Sequence, residues 1–410
     1  MKKERKKGKI IATSVVIALC ILLIIPYACQ DKAGKLLPIN EISEFFVNED
    51  IAKTVAENFM QKTNPSLKSA QSYKLKKIRD DDGVELIYVV NFDEGGFVLM
   101  PTDNRVNPIL AFSKTNSFKM DGFENVNGIS LWMAERIKQI KNIKKMTTPQ
   151  NKEMKELWKK HLTSFRLKDE GDPSGDPCVE SHTTVGPLMT TIWHQRGNYN
   201  TDCPTATEVK AITDSCNCDF SVGGLNGHAR AGCIPVAMGQ IMNYHQYPNT
   251  YSWSQMPQGK TAFDYLGNSV VADLLSDIGD VLDVNYYCYV SEADLVDIVP
   301  AFENNYGYST TATRSNYYSN FVTVRNNISN DWPVLFTGSN SSGYYHSWVC
   351  DGYQTSIYCI GDSQVEYNYL HMNWGDGVDY NPPDGYTGFY SYDDLGDFNN
   401  NLSIITGIKP

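Results

Sequence analysis

The chain has no dense cysteine framework, no basic excess and no enrichment in glycine or proline. Each absence removes a class of protein. Ten cysteines are scattered over 410 residues, too sparse for a small disulfide-stapled scaffold. Cys216-Asn217-Cys218 has a one-residue spacer and no second pair, which falls short of a structural zinc site. The formal net charge is −11. Because Lys2, Lys3, Arg5, Lys6, Lys7 and Lys9 crowd the start against Glu4 alone, the remainder is more acidic than the whole. An acidic body lacks the basic footprint that nucleic acid requires. Gly 30 and Pro 18 are ordinary usage, which excludes a collagen-like chain or a low-complexity linker. No internal repeat is visible. What is present is 41% hydrophobic and 20% charged residues, enough for a sizeable core and too apolar for wholesale disorder.

The first 29 residues read as a targeting segment. A basic stretch, Met1 to Lys9, precedes an uncharged run from Ile10 to Ala28. Such a run fits a secretory signal or a membrane anchor. Pro26 near the end of the run and the small Ala28 before Cys29 favour export with cleavage. Ile25-Pro26-Tyr27-Ala28-Cys29 resembles a bacterial lipoprotein signal, which implies a lipid on Cys29 and attachment to a membrane through it. The expected location is therefore an outer-membrane lipoprotein, the cell surface or the secreted fraction.

Beyond the targeting segment, residues 43 to about 63 have helical spacing in Ile51, Val55, Ala56 and Phe59. Residues 72–113 read as strands, with apolar runs at 86–90, 97–100 and 109–112. A second helix is expected over 129–145, with Leu131, Ile137, Ile140 and Ile143 on one side. Residues 151–168 are largely charged and polar. The stretch Asp169-Glu170-Gly171-Asp172-Pro173-Ser174-Gly175-Asp176-Pro177 is a linker by composition and a candidate processing site. This divides the chain into a small α+β domain (30–168), a linker (169–180) and a second domain (181–410). The second domain opens with helices, including 234–247 and 269–278. It closes with strands at 334–336, 346–350, 356–360 and 371–374, an α+β order.

The chemistry concentrates around Cys233. Pro235 is tolerated only in the first turn of a helix, so a helix begins at or just after Cys233. A cysteine there feels the positive end of the helix dipole, which favours thiolate, and Gly232 leaves room for a substrate backbone. The competing reading is a small buried core residue. A thiolate nucleophile needs an imidazole beside it in space. Of the seven histidines, His161 lies in the polar connector and His245 is about three turns along the same helix. His346 opens the apolar run Trp348-Val349-Cys350 after the Gly338–Gly343 loop and is the better candidate.

Gly232-Cys233 with Gln240-Ile241-Met242-Asn243-Tyr244-His245, His346-Ser347-Trp348-Val349-Cys350-Asp351-Gly352-Tyr353 and His371-Met372-Asn373-Trp374-Gly375 together resemble the streptopain family of papain-like cysteine peptidases. Val185-Gly186-Pro187-Leu188 and Trp193-His194-Gln195 resemble the start of that family's catalytic domain. Val55-Ala56-Glu57-Asn58-Phe59 and Gly95-Gly96-Phe97-Val98 through Leu110 resemble its inhibitory propeptide. The resemblance implies an α+β fold: a papain-like, two-subdomain peptidase with a helical part and an antiparallel β part, preceded by a small α+β propeptide domain. It implies a cysteine endopeptidase zymogen acting on proteins or peptides without a cofactor or metal, kept latent by its own N-terminal domain. Cys233 matches the nucleophile and His346 its partner. Gln195 matches the donor that joins the Cys233 N–H at the oxyanion. Asn373 and Trp374 match the segment that orients and shields the imidazole, with Asn373 expected to accept from the ring's second N–H.

Gly232, Gly343, Ser347 and Asp376 are expected to face substrate. Asp376 stands where the family usually has a second Trp. If its carboxylate faces His346 it favours the imidazolium; if it faces water the site loses an aromatic wall. The acids of 379–385 miss the spacing of an EF-hand calcium loop. A catalytically impaired domain serving as a binding or inhibitor protein, and an acyl transferase using an amine in place of water, are the alternatives.

Overall fold

In the computed structural model the described residues are 44–64, 72–120, 128–163, 179–213, 219–221, 225–258, 267–288, 290–318, 320–339, 343, 345–361, 363–375, 384–392 and 402–410. The targeting segment, the linker up to residue 178 and Asp376 lie outside them. Contacts divide the chain into a unit ending at Phe46 and a compact unit from Val47 to Pro410. Everything below concerns the second.

Its N-terminal part begins with helix α1 (Glu49–Thr63), which starts six residues later than the spacing predicts. The Asn48 side chain accepts from the Ile51 N–H and caps it there. Strands β1 (Tyr73–Arg79), β2 (Glu85–Phe92), β3 (Phe97–Pro101) and β4 (Ala111–Ser113) form an antiparallel meander, followed by a short β5 (Ser117–Phe118). Helix α2 (Gly128–Lys145) comes next, and then α3 (Lys152–Leu162). The sequence reading has no helix at 151–168. The signal was there: Met154, Leu157, Trp158 and His161 recur at helical spacing inside a charged stretch, and the last three are buried.

The C-terminal part starts with β6 (Ser181–Val185). Its helical layer holds α4 (Ala206–Thr213), α5 (Cys233–His245) and α6 (Ser269–Val281). Strand β7 (Thr313–Asn316), α7 (Phe321–Ile328) and then β8 (Val334–Ser339), β9 (Tyr345–Ile360), β10 (Ser363–Asn373), β11 (Asp384–Gly385), β12 (Gly388–Ser391) and β13 (Leu402–Thr406) complete it. The two predicted strands at 346–350 and 356–360 are one 16-residue strand, β9, bent by a register shift between Cys350 and Gly352.

The two parts share one sheet. Its order is β1-β2-β3-β4-β12-β10-β9-β8-β13-β7, with β6 paired to β9, which makes 11 strands among the described residues. The junction is β4 against β12, where Phe112 and Ala111 pair with Phe389 and Tyr390. Parallel pairing of β5 with β11 and an Asn116 Nδ2 bond to the Thr387 carbonyl (2.8 Å) extend it. The Phe112 and Phe389 rings stack nearly parallel, with centroids 4.9 Å apart and planes inclined by 11°. Helix α2 lies over this seam. Trp132 Nε1 and the Arg136 guanidinium both donate to the Ser391 carbonyl, at 2.9 and 2.7 Å. Gly128 opens α2 against the Trp374 indole, where a Cβ would sit 2.2 Å from a ring carbon, so no larger residue fits that approach.

A second contact between the parts involves α3. The buried His161 ring packs edge-on to Tyr358 and tilted against Phe59. Lys62 of α1 sits over the Tyr358 ring, and Lys160 pairs with Glu180 at 2.6 Å. Burial, then the nearby Lys62 and His182, push the His161 pKa down to about 3. Burial and Lys62 push His182 down to about 4 against a small opposing pull from Glu180. Both rings are neutral in the folded protein. A histidine whose folded pKa is depressed contributes stability that is intact above about 6.5 and is lost as pH falls toward the folded value. The thermal midpoint should therefore fall between pH 7 and pH 4. His161→Phe, which keeps the aromatic packing and removes the proton site, should flatten that fall. Identical pH profiles for the two proteins, read by thermal unfolding, would remove His161 as a contributor.

Candidate active site

Cys233 is the first residue of α5, and Gly232 before it has φ 98°, a conformation that strains any residue with a side chain. The turn is fixed on both sides. The Ala231 N–H donates to the Gln195 carbonyl at 3.1 Å, and Ser291 Oγ donates to the Arg230 carbonyl at 2.7 Å. Gln195 is thereby held beside the start of the helix. Pro235 occupies the first turn, where its missing N–H costs nothing, and α5 then buries Ile234 through Asn243 without a break.

His346 is the second residue of β9 and is 3% exposed. Its ring lies close enough to Cys233 to lower the thiol pKa. Its Nε2 lies 2.9 Å from the Trp374 carbonyl. A carbonyl can only accept, so Nε2 carries the hydrogen and Nδ1 is left to exchange the thiol proton. This corrects the role expected of Asn373. That residue is buried at the end of β10, but its amide Nδ2 donates to the Thr191 carbonyl (2.6 Å) and to Gln240 Oε1 (3.0 Å). Its Oδ1 accepts from the Gly375 N–H. The imidazole is oriented by the main chain of the next residue. The Trp374 indole donates to the Tyr386 carbonyl at 3.0 Å and packs on Trp348 and Tyr390.

Ser347 is likewise corrected as a substrate-facing residue. Strand alternation turns its side chain away from the face His346 occupies. It is buried, with its hydroxyl 2.9 Å from that of Thr337, and its contribution to the site is a main-chain N–H that favours the Cys233 thiolate. Gly343 is exposed, with φ 84° and nothing within 4 Å of where a Cβ would lie. Asp376 lies outside the described residues. Of the other histidines, His371 is committed to Asp351, Nδ1 to Oδ1 at 2.5 Å, and His245 is on the far end of α5. Sequence reasoning used Gln240 only as part of a motif; the structure buries it completely between the Trp193 and Asn373 segments.

Three described cysteines are free: Cys203, Cys233 and Cys350. Cys288 and Cys359 are disulfide-bonded. Burial raises the Cys203 thiol to about 12 and pushes Cys350 far up. Burial also opposes ionisation of Cys233, but the hydrogen bond and charge of His346, the Ser347 N–H and its own amide outweigh it, so its pKa lies below the ordinary thiol value. Among the described free thiols, ionisation is thus favoured at Cys233 and disfavoured at Cys203 and Cys350. Among the described residues no group of three or more His, Cys, Asp and Glu could hold a metal ion. Removing the ring should expose its effect: in His346→Ala the rate of Cys233 alkylation at pH 6 should drop by about tenfold or more relative to the native protein, because its pKa then rises. Superposable rate–pH profiles would show that the ring does not hold the thiolate.

Comparison with known proteins places this geometry. The profile of the peptidase C10 family matches residues 193–250 and 249–382, and that of the Spi protease inhibitor family matches 44–140. Streptopain of Streptococcus pyogenes is 27% identical over 432 aligned positions, covering 91% of this chain and 94% of its own. A thiol protease/hemagglutinin of Porphyromonas gingivalis is 20% identical across 81% of this chain and 37% of its own length. The structure of a prointerpain A fragment from Prevotella intermedia superposes with a TM-score of 0.54 at 19% identity, over 83% of this chain and 99% of that fragment; that likeness is one of fold.

Proposed function

Since the chain belongs to the peptidase C10 (streptopain) family and is a cysteine-type endopeptidase zymogen, we propose that Cys233 is its nucleophile and His346 the acid–base partner. The observation that carries this assignment is a free thiol, Cys233, at the first position of α5 behind a positive-φ glycine, with the nearby His346 ring held at Nε2 by the Trp374 carbonyl at 2.9 Å; the direction of the Cys233 pKa, down where Cys203 and Cys350 go up, agrees with it.

The thiolate attacks the peptide carbonyl at the N-terminus of α5, and the imidazolium, held from behind by the Trp374 carbonyl, protonates the leaving amine. Water then releases the thioester with His346 as base. The Cys233 N–H and the Gln195 side chain are the donors assigned to the oxyanion, an assignment that rests on the match of Gln195 to the family motif; losing one such donor costs about 10²–10³ in turnover. The substrates are proteins or peptides, and the N-terminal part is the chain's own inhibitor. Its β4 completes the sheet edge at β12, and its α2 opens against the indole of the residue that anchors His346. The sequence of residues 1–29 supports export, with a lipid on Cys29 as the means of membrane attachment.

The test is a time course of the soluble precursor, residues 31–410, under mildly reducing conditions, beside its Cys233→Ala variant. The native precursor should shorten to roughly the last 235 residues and cleave a peptide reporter, and the variant should do neither. Equal processing of both proteins with no other protease present would exclude self-maturation. Cys233-independent reporter cleavage would exclude the assigned nucleophile.

A further inference from the structure

Gln240 lies seven residues after Cys233 on α5, two helical turns along the same face. It is 0% exposed. Its Oε1 accepts two hydrogen bonds, from the Trp193 main-chain N–H at 3.2 Å and from Asn373 Nδ2 at 3.0 Å. These donors belong to the two segments that flank the sulfur. Trp193 is two residues before Gln195, and Asn373 is one residue before Trp374, whose carbonyl holds the His346 ring. Asn373 ties the same segments a second time through its bond to the Thr191 carbonyl. The Gln240 Nε2, by contrast, meets no hydrogen-bond partner. A fully buried amide whose oxygen takes two bonds and whose nitrogen takes none is being used as an acceptor.

We infer that Gln240 is a positioning residue for catalysis: its single carbonyl oxygen locks the Gln195 segment and the Trp374 segment to the helix that carries Cys233, fixing the oxyanion donor and the imidazole relative to the sulfur. The inference rests on the peptidase reading above. Gln240 touches neither substrate nor the reacting atoms. Its effect runs through Trp193 to Gln195 on one side and through Asn373 and Trp374 to His346 on the other. A displacement of about 1 Å in such groups costs turnover on the order of 10²-fold, whereas a purely structural residue would lower stability and leave the chemistry of the surviving folded molecules alone.

The experiment compares mature native enzyme, Gln240→Met and Gln240→Glu, with Cys233→Ala as control. Methionine fills the space with only a weak thioether acceptor in place of the carbonyl oxygen; glutamate keeps a strong acceptor oxygen in place of the amide. Gln240→Met should lower kcat by about 10–100-fold with KM within about twofold, and should move the Cys233 alkylation–pH profile to higher pH as the ring loses its fixed position. Gln240→Glu should keep kcat within about fivefold of native. Native kcat and an unmoved alkylation profile in folded Gln240→Met would overturn the inference, as would equal loss in both variants. Should Gln240→Met not fold, Gln240→Glu decides: near-native kcat upholds the acceptor role, and a loss of about a hundredfold ends it. If native enzyme shows no Cys233-dependent cleavage, the peptidase reading fails instead, and the two failures are distinct.

Discussion

A histidine can serve the Cys233 sulfur only if its ring is held from behind, and here the holder is a main-chain carbonyl, that of Trp374, 2.9 Å from Nε2. A carbonyl cannot swing on a rotamer as an asparagine can; it moves only if the backbone moves. The site therefore inherits its precision from whatever fixes the Trp374 backbone. The indole is bonded to the Tyr386 carbonyl and enclosed by Trp348 and Tyr390. Asn373 just before it is anchored to Thr191 and Gln240. The imidazole tautomer, the thiol pKa and the aromatic core around Trp374 are consequences of one packing arrangement.

The same arrangement joins the inhibitor part to the catalytic part. Gly128 fits against Trp374 because it has no side chain, and Trp132 and Arg136 converge on the Ser391 carbonyl of the strand that pairs with β4. One hydrophobic cluster includes Leu86, Leu99 and Trp132 from the N-terminal part with Trp348, Trp374 and Tyr390 from the C-terminal part. What sequence composition divides into two domains is joined by one continuous sheet and by a hydrophobic cluster common to both parts. The inhibitor part acts as a missing edge strand and lid on that core, which suits an edge that would otherwise present unpaired main-chain groups.

Much of the site was legible in the sequence because its signals are local. Pro235 dates the start of α5 to within a residue, and a glycine before a cysteine at a helix start has few structural excuses. His346 stood out by its place at the head of an apolar strand. Where reading failed, the cause was side-chain direction. Ser347 follows His346 on a strand, so alternation alone places it on the opposite face; that signal was present and went unused. The orientation of Asn373 depends on Thr191 and Gln240, residues distant in sequence, and no local pattern records it. Helix α3 was hidden by its charge, since eleven residues with four apolar positions read as linker unless the period is counted. The β4–β12 junction is a tertiary choice, and a three-residue strand carries no mark of its partner.

The bonds across the seam join residues 255 to 271 positions apart in the chain. While the chain is whole, that separation is a loop, and closing a long loop costs only slightly more than closing a moderate one. Docking of the inhibitor part is then intramolecular, with an effective concentration set by the short connection between Leu162 and Ser181. Any cut in that connection leaves every hydrogen bond and ring contact of the seam in place and removes the tether. The same interface must then compete with dilution. A single broken peptide bond thus turns a fixed edge strand into a dissociable ligand without altering one contact of the folded protein.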